Sequence, residues 1–340
     1  MSKRRTVLVA ISGLLIATGA LMAARGVMAA APEDKQWQAV APGRVEACSG
    51  QIKLGAAVMG VVDKVLVKAN DRVFAGEPLV HLADDELAAR LAAAETQVDL
   101  RKRARDEKSV AGSANTRRKA RDAVADAEQS VYEVRAIVDR AAAELRAKGG
   151  PDDGLTTARS ALARAQAELT KRQEEVRTIE EDSPLPTNLE GQLSIARSEY
   201  AVARSALDKM TVRAPIDGTV LQVNVRVGEL VSSGSPQPPL QLADLSALCV
   251  RAELDERDLG LIQVRQPVSV RTAAFPAREF EGSVSAIAPL VEPGRLEPPG
   301  TRNQTDVDVV QVMVELMGAG QLTVGMKADV YFRFGQVNAR

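Results

Sequence analysis

The chain has 340 residues, room for two or three small domains, and 44 basic against 45 acidic side chains give a net charge of −1. Both signs run along the whole sequence, so no basic patch points to nucleic acid. One histidine and two cysteines leave little for metal or nucleophilic chemistry, and 3% aromatic residues suit thin helical seams and slim β modules better than one broad core. The expectation is a non-enzymatic protein with no cofactor, no metal and no catalytic residue.

Lys3, Arg4 and Arg5 precede an uncharged stretch from Thr6 to Ala24, which Arg25 closes. About 19 residues at 1.5 Å rise give roughly 28 Å, close to the hydrocarbon thickness of a bilayer. The positive-inside rule places Lys3 to Arg5 in the cytoplasm and the rest of the chain outside. A cleaved signal peptide is the alternative, because Val27-Met28-Ala29 resembles a small-x-small cleavage site. The length of the apolar run and Arg25 favour a retained single anchor over residues 1–31. Either reading exports the bulk of the chain from the cytoplasm.

A repeat follows. Gly60-Val61-Val62 with Val65, Val67, Val73, Gly76 and Pro78 returns at a constant offset as Gly218-Thr219-Val220 with Val223, Val225, Val231, Gly234 and Pro236. After a slip of two residues, Val80-His81-Leu82-Ala83-Asp84 reappears as Leu240-Gln241-Leu242-Ala243-Asp244. Alternating branched residues punctuated by glycine and an acidic turn are a β pattern. Each copy reads as half of a small sandwich, and two halves packed face to face bury each other's apolar side.

Heptad spacing fills the gap between the halves. Leu87, Leu91, Ala94 and Val98 begin the rhythm, and Val124, Ala127, Val131, Val134, Val138, Ala141 and Leu145 continue it. Gly149-Gly150-Pro151 breaks it. Leu155, Ala158, Leu162, Ala165 and Leu169 resume, and Leu189, Leu193, Ala196, Tyr200, Ala203, Leu207 and Met210 complete the pattern. Two weaker breaks, Ala111-Gly112-Ser113 and Ser183-Pro184-Leu185-Pro186, lie at similar distances from the central turn. They therefore stand side by side in an antiparallel hairpin. If straight, that hairpin projects about 80–95 Å, with its tip near residues 148–154.

Met210-Thr211-Val212-Arg213-Ala214-Pro215-Ile216-Asp217-Gly218-Thr219-Val220 closely resembles the V-R-A-P-x-D-G-x-V signature of HlyD-type membrane fusion proteins. In that family it marks re-entry from the hairpin into the lipoyl-like domain, so Arg213, Ala214, Pro215, Asp217 and Gly218 form the signature turn. Leu248-Cys249-Val250-Arg251 and Gln266-Pro267-Val268 resemble the start of the family's β-barrel, and Val324-Gly325-Met326-Lys327 its end. The implied fold is α+β multidomain: a lipoyl-like β-sandwich (53–83 and 211–245) split by a long antiparallel α-helical coiled-coil hairpin (84–210). A β-barrel domain (32–52 and 246–336) and the N-terminal membrane anchor complete it. The implied role is a periplasmic adaptor between an inner-membrane transporter and an outer-membrane TolC-like channel. The approach segment Gly43-Arg44-Val45-Glu46-Ala47 resembles subfamilies paired with ABC exporters, with RND and MFS transporters as alternatives. Self-association as a hexamer or trimer of dimers is implied as well. Tips in the family carry an Arg, a Leu and a Ser; Arg140 and Leu145 fill the first two roles, while Asp152 stands near the place of the serine.

Three further features have simpler readings. Asp63-Lys64 superficially matches the swinging lysine of lipoyl or biotin carriers, but that lysine belongs in the turn joining the halves, where the hairpin now sits. His81 alternates with Val80 and Leu82 and reads as a solvent-facing strand residue. Cys48 and Cys249 flank the split module; an oxidising compartment permits a disulfide, and two small buried apolar residues are the alternative. A structural coiled-coil envelope protein without a transporter is the rival to the adaptor.

Overall fold

A computed structural model describes residues 37–108, 110–181, 185–232, 234, 237–294, 308–318 and 321–334. The expected anchor over residues 1–31 lies outside the described residues, among which no helix is long and apolar enough to cross a membrane. In chain order, β1 (Trp37–Ala47) leads to β2 (Gln51–Leu54), β3 (Gly60–Val65), β4 (Arg72–Val73) and β5 (Pro78–Leu82). The helices follow: α1 (Asp85–Asp106), α2 (Ser113–Lys148), α3 (Asp153–Glu181) and α4 (Asn188–Asp208). Next come β6 (Thr211–Arg213), β7 (Gly218–Val223), β8 (Leu230–Val231) and β9 (Leu240–Ala243). The chain ends with β10 (Leu248–Asp255), β11 (Pro267–Arg271), β12 (Phe280–Pro293), β13 (Asp308–Leu316) and β14 (Lys327–Arg333).

The chain forms two units. One is a closed barrel with strand order β1-β10-β13-β12-β11-β14. Alternation of small and branched residues builds it: Ala39, Ala41, Val45 and Ala47 of β1 turn inward, as do Val310, Val312 and Val314 of β13 and Val330 and Phe332 of β14. Closure removes the exposed edges that an open sheet of these strands would leave.

The other unit holds the sandwich and the helices. Its sheets run β2-β9-β7-β4 and β6-β5-β3-β8, so each half of the repeat lends a short strand to the other half's sheet. The exchange is reciprocal down to single bonds. Val62 N donates to Glu229 O and Gly228 N to Val62 O; in the mate, Val220 N donates to Asp71 O and Asn70 N to Val220 O. Asn70 (φ 74°) and Gly228 (φ 86°) occupy the same left-handed turn position in the two copies. The carboxylates of Asp71 and Glu229 each accept the backbone N–H three residues earlier, at Lys68 and Arg226, both at 2.8 Å. Neither half could satisfy its backbone alone.

The sandwich core follows the repeat register: Val62 with Val220, Val73 with Val231, and Leu82 with Leu242 are all buried. Each such side chain contributes about 1.5–3 kcal/mol relative to exposure. One expected boundary shifts. Gln51 and Ile52 pair with Ala243 and Leu242 of β9, so they belong to the sandwich and not to the barrel segment 32–52.

Candidate functional site

The apolar heptads pair the helices as their spacing requires: α1 lies along α4, and α2 along α3. Gly112 (φ 66°) separates α1 from α2, and Gly149 (φ 66°) and Gly150 (φ 110°) with Pro151 separate α2 from α3. Thr187 caps α4 through a capping box. Its hydroxyl accepts Glu190 N (3.3 Å), and the Glu190 carboxylate accepts Thr187 N (2.9 Å).

The helical hairpin is present, but it doubles back. At the far end, Arg105 near the close of α1 holds Asp122 of α2 through two bonds (2.8 and 3.0 Å), and Arg197 of α4 reaches the same carboxylate at 2.7 Å. Further along α2, Arg135 meets Asp208, the last residue of α4, at 3.3 Å. At the foot, Arg213 of β6 forks onto Asp139 of α2 (2.8 and 3.0 Å), and Arg146 donates to Leu66 O (2.7 Å) and contacts Glu77. Arg159 of α3 reaches Asp217 at 3.2 Å and lies over the Phe74 ring. These contacts run in order from the end of α1 down to the sandwich. The turn at residues 148–154 therefore lies against the sandwich, not at the distal tip that the hairpin pattern implies. Exposed Arg140 and Asp152 and half-buried Leu145 accompany it there. The physical reason is the file of charged partners along α2, α4 and the sandwich loops, which ties α2 down onto its own base.

The strongest knot is Glu190. Its carboxylate accepts Arg117 at 2.7 Å and also Arg118, and all three side chains are at most 9% exposed. Burial opposes its ionisation, but hydrogen bonds from Arg118, the Thr187 backbone and Arg117 outweigh that and hold its pKa at about 2. Asp122 is likewise pulled below the usual carboxylate range: burial works against it, and the bonds from Arg105 and Arg197 win. Two crevices of about 350 and 510 Å³ remain between the helical pairs, lined largely by charged and aromatic side chains, Tyr132 and Tyr200 among them.

The signature turn is where this arm meets its base. Besides gripping Asp139, Arg213 donates to Gly76 O (2.8 Å), while Asp217 accepts Ala75 N (2.7 Å) as well as Arg159. Ala214 is 2% exposed and bonds through its backbone to Glu77 O and Gly76 N. Pro215 sits exposed at the corner. At Gly218 an added Cβ would lie 2.7 Å from Ala243 O, so the residue must be glycine for β7 to approach β9. Asp139, Arg159, Glu77 and the Glu190 knot are additions of the structure. The T-x-x-E spacing of Thr187 and Glu190 was the sequence signal for that helix start.

The model of the CzcB-like, barrel-sandwich hybrid domain family matches residues 51–236. The chain belongs to that family. A second model, the CusB-like β-barrel domain, matches residues 248–334. The multidrug resistance protein MdtN of Escherichia coli (strain K12) is 28% identical over 67% of this chain and 65% of its own length. The macrolide export protein MacA of Yersinia pestis is 25% identical over 85% of this chain and 70% of its own. A solved MacA-MexA chimera carrying the Pseudomonas aeruginosa MexA α-hairpin covers 87% of this chain and 81% of its own, at 16% identity and a TM-score of 0.51. Against this barrel-sandwich hybrid, Lys64 stands within β3 opposite His81 and not in a turn between halves. His81 places Nδ1 2.7 Å from Leu82 O and Nε2 3.4 Å from Asp84. Cys48 and Cys249 are joined by a disulfide with 4.9 Å between Cα atoms, in place of two separate buried thiols.

Proposed function

We propose that the chain is a periplasmic adaptor of an export system, joining an inner-membrane transporter to an outer-membrane TolC-like channel without catalysing a reaction. The observation that carries this reading is the split sandwich: two strand-exchanging halves close around an inserted helical arm, in a chain of the barrel-sandwich hybrid family. Such a build sets a helical arm on a β base, and asks for no chemistry. The relatives' names, a multidrug resistance protein and a macrolide export protein, favour drugs such as macrolides as cargo. The Cys48–Cys249 disulfide supports an oxidising compartment, in keeping with an anchor over residues 1–31 and a periplasmic body. An ABC-type permease is the favoured transporter, with RND or MFS types as alternatives, and a hexamer or trimer of dimers the favoured assembly.

Within this reading Arg140 and Leu145, beside the Gly149-Gly150 turn, belong to the channel-docking element, with Asp152 next to them. The double variant R140A/L145A should abolish export of a cargo compound from whole cells while membrane anchoring, oligomerisation and helical content stay as in the parent. Full export by that variant would remove these residues from the docking role.

A further inference from the structure

We infer that the space between the helix pairs is a binding site for an amphipathic oxyanion: arginines at one end take its charged head, and tyrosines with branched side chains at the other take an aromatic or apolar body. The inference does not rest on the adaptor reading.

Two crevices make up this space. The first, about 350 Å³, is lined by Arg105, Arg117, Arg118, Arg121 and Arg197. The second, about 510 Å³, is lined by Val98, Val131, Leu169, Tyr132 and Tyr200. They adjoin, because Ala125, Arg197 and Ala201 line both. Each falls within the roughly 300–1,000 Å³ of ordinary small-molecule pockets.

The charge inside the first crevice is unbalanced. Arg117 and Arg118 share one carboxylate, Glu190, while Arg105 and Arg197 share another, Asp122. Four buried or half-buried guanidiniums thus meet two carboxylates. The remaining acids are exposed: Glu180 beside Arg121, Asp106 beside Arg105, and Glu128. Solvent screens such groups, so they offset little of the inner charge. The titration behaviour agrees. Burial alone would raise Asp122 and Glu190, yet their arginine bonds hold both below the usual carboxylate range, as a positive surrounding does. Uncompensated buried charge is costly, and an oxyanion placed here relieves it through paired guanidinium hydrogen bonds.

Arg197 and Arg204 carry the link between the two ends. They stand seven residues apart on α4 and so share a face. The Nε of each is buried with no hydrogen-bond partner among the described residues, so the chain itself does not use either guanidinium fully. Arg204 lies over the Tyr132 ring and donates to Tyr200 Oη at 3.0 Å, which joins a cation to two aromatic surfaces. In the second crevice Asp208 is taken by Arg135, and Glu95, Asp99 and Asp126 are exposed. The buried charge that a ligand meets is therefore positive at both ends, and the apolar lining favours a ring or branched body over a bare ion.

The test titrates naphthalene-2-sulfonate into the full chain in lipid nanodiscs by calorimetry, with empty nanodiscs subtracted. Saturable binding at one site per chain is expected, at least about tenfold tighter than for the neutral naphthalene-2-sulfonamide, as charge-assisted hydrogen bonds require. The variant R197Q/R204Q should weaken the sulfonate about tenfold and leave the sulfonamide nearly unchanged. A201W, which fills the shared wall from an exposed position without altering any charge, should abolish binding of both. Circular dichroism checks the helices of each variant. A photoreactive azidonaphthalenesulfonate on the parent needs no variant: labelled peptides should contain Tyr132 or Tyr200. No binding by the parent, equal affinity for the neutral analogue, or labelling confined to other peptides overturns the proposal. So does parent-like binding in either variant at full helicity.

Discussion

Replacing Glu190 by Gln tests the knot that ties α2 to α4. Gln is nearly isosteric and still serves in a capping box with Thr187, so the change isolates the charge. Two routes give its magnitude. The carboxylate is held at about 2 in the fold against 4.5 in the open chain, which amounts to a contribution on the order of 3 kcal/mol at neutral pH. Independently, removing one partner of a buried ion pair costs about 3–5 kcal/mol, here by leaving Arg117 and Arg118 buried without their anion. For a unit of this size 3 kcal/mol lowers the melting temperature by roughly 6–12 °C. The sign with pH follows from the depressed value: the stabilisation is complete above 4.5 and is lost as pH falls through about 2. Melting followed by circular dichroism at 222 nm should therefore show the full gap between parent and E190Q at pH 7, narrowed to roughly half by pH 3. A gap below 2 °C at pH 7, or one that does not change on acidification, would refute the assignment of Glu190 as an ionised hub.

Other outcomes follow from the base. Replacing both cysteines by serine should destabilise the sandwich unit by about 2–5 kcal/mol, because the bridge closes a separation of 201 residues; denaturant melts with and without reductant would measure it. Non-reducing peptide mapping should recover Cys48 and Cys249 on one linked peptide. Gly218→Ala forces a Cβ against Ala243 O and should cost about 1–3 kcal/mol, read as a lower denaturant midpoint. Ala at Gly154, where nothing lies within 4 Å, is the control and should leave that midpoint within error.

The repeat made the sandwich legible because it ties pairs of positions to one another: once Val62 and Val220 are recognised as mates, their shared burial and reciprocal bonds follow. The heptads made the helix partners legible for a similar reason, since apolar stripes on α1 and α4, and on α2 and α3, have nowhere else to go. What the stripes could not say is which way the arm points. A straight hairpin and a doubled one use the same apolar pairings, so the choice falls to the charged residues, and charges at exposed helical positions look alike whether solvated or paired. Arg117, Arg118, Asp139 and Glu190 reveal their role only through partners more than 70 positions away. The family signature carried a second meaning in the same way. Arg213 and Asp217 are legible as a re-entry corner, but Asp139 and Arg159, the side chains they hold, sit in helices that carry no matching motif.

The adaptor role stands or falls on what the protein touches in the envelope. Purifying the tagged full chain from crosslinked native membranes and identifying its companions by mass spectrometry should return both an inner-membrane permease or ATPase and an outer-membrane channel protein. Recovery of the chain with copies of itself alone, under the same crosslinking, would contradict the account.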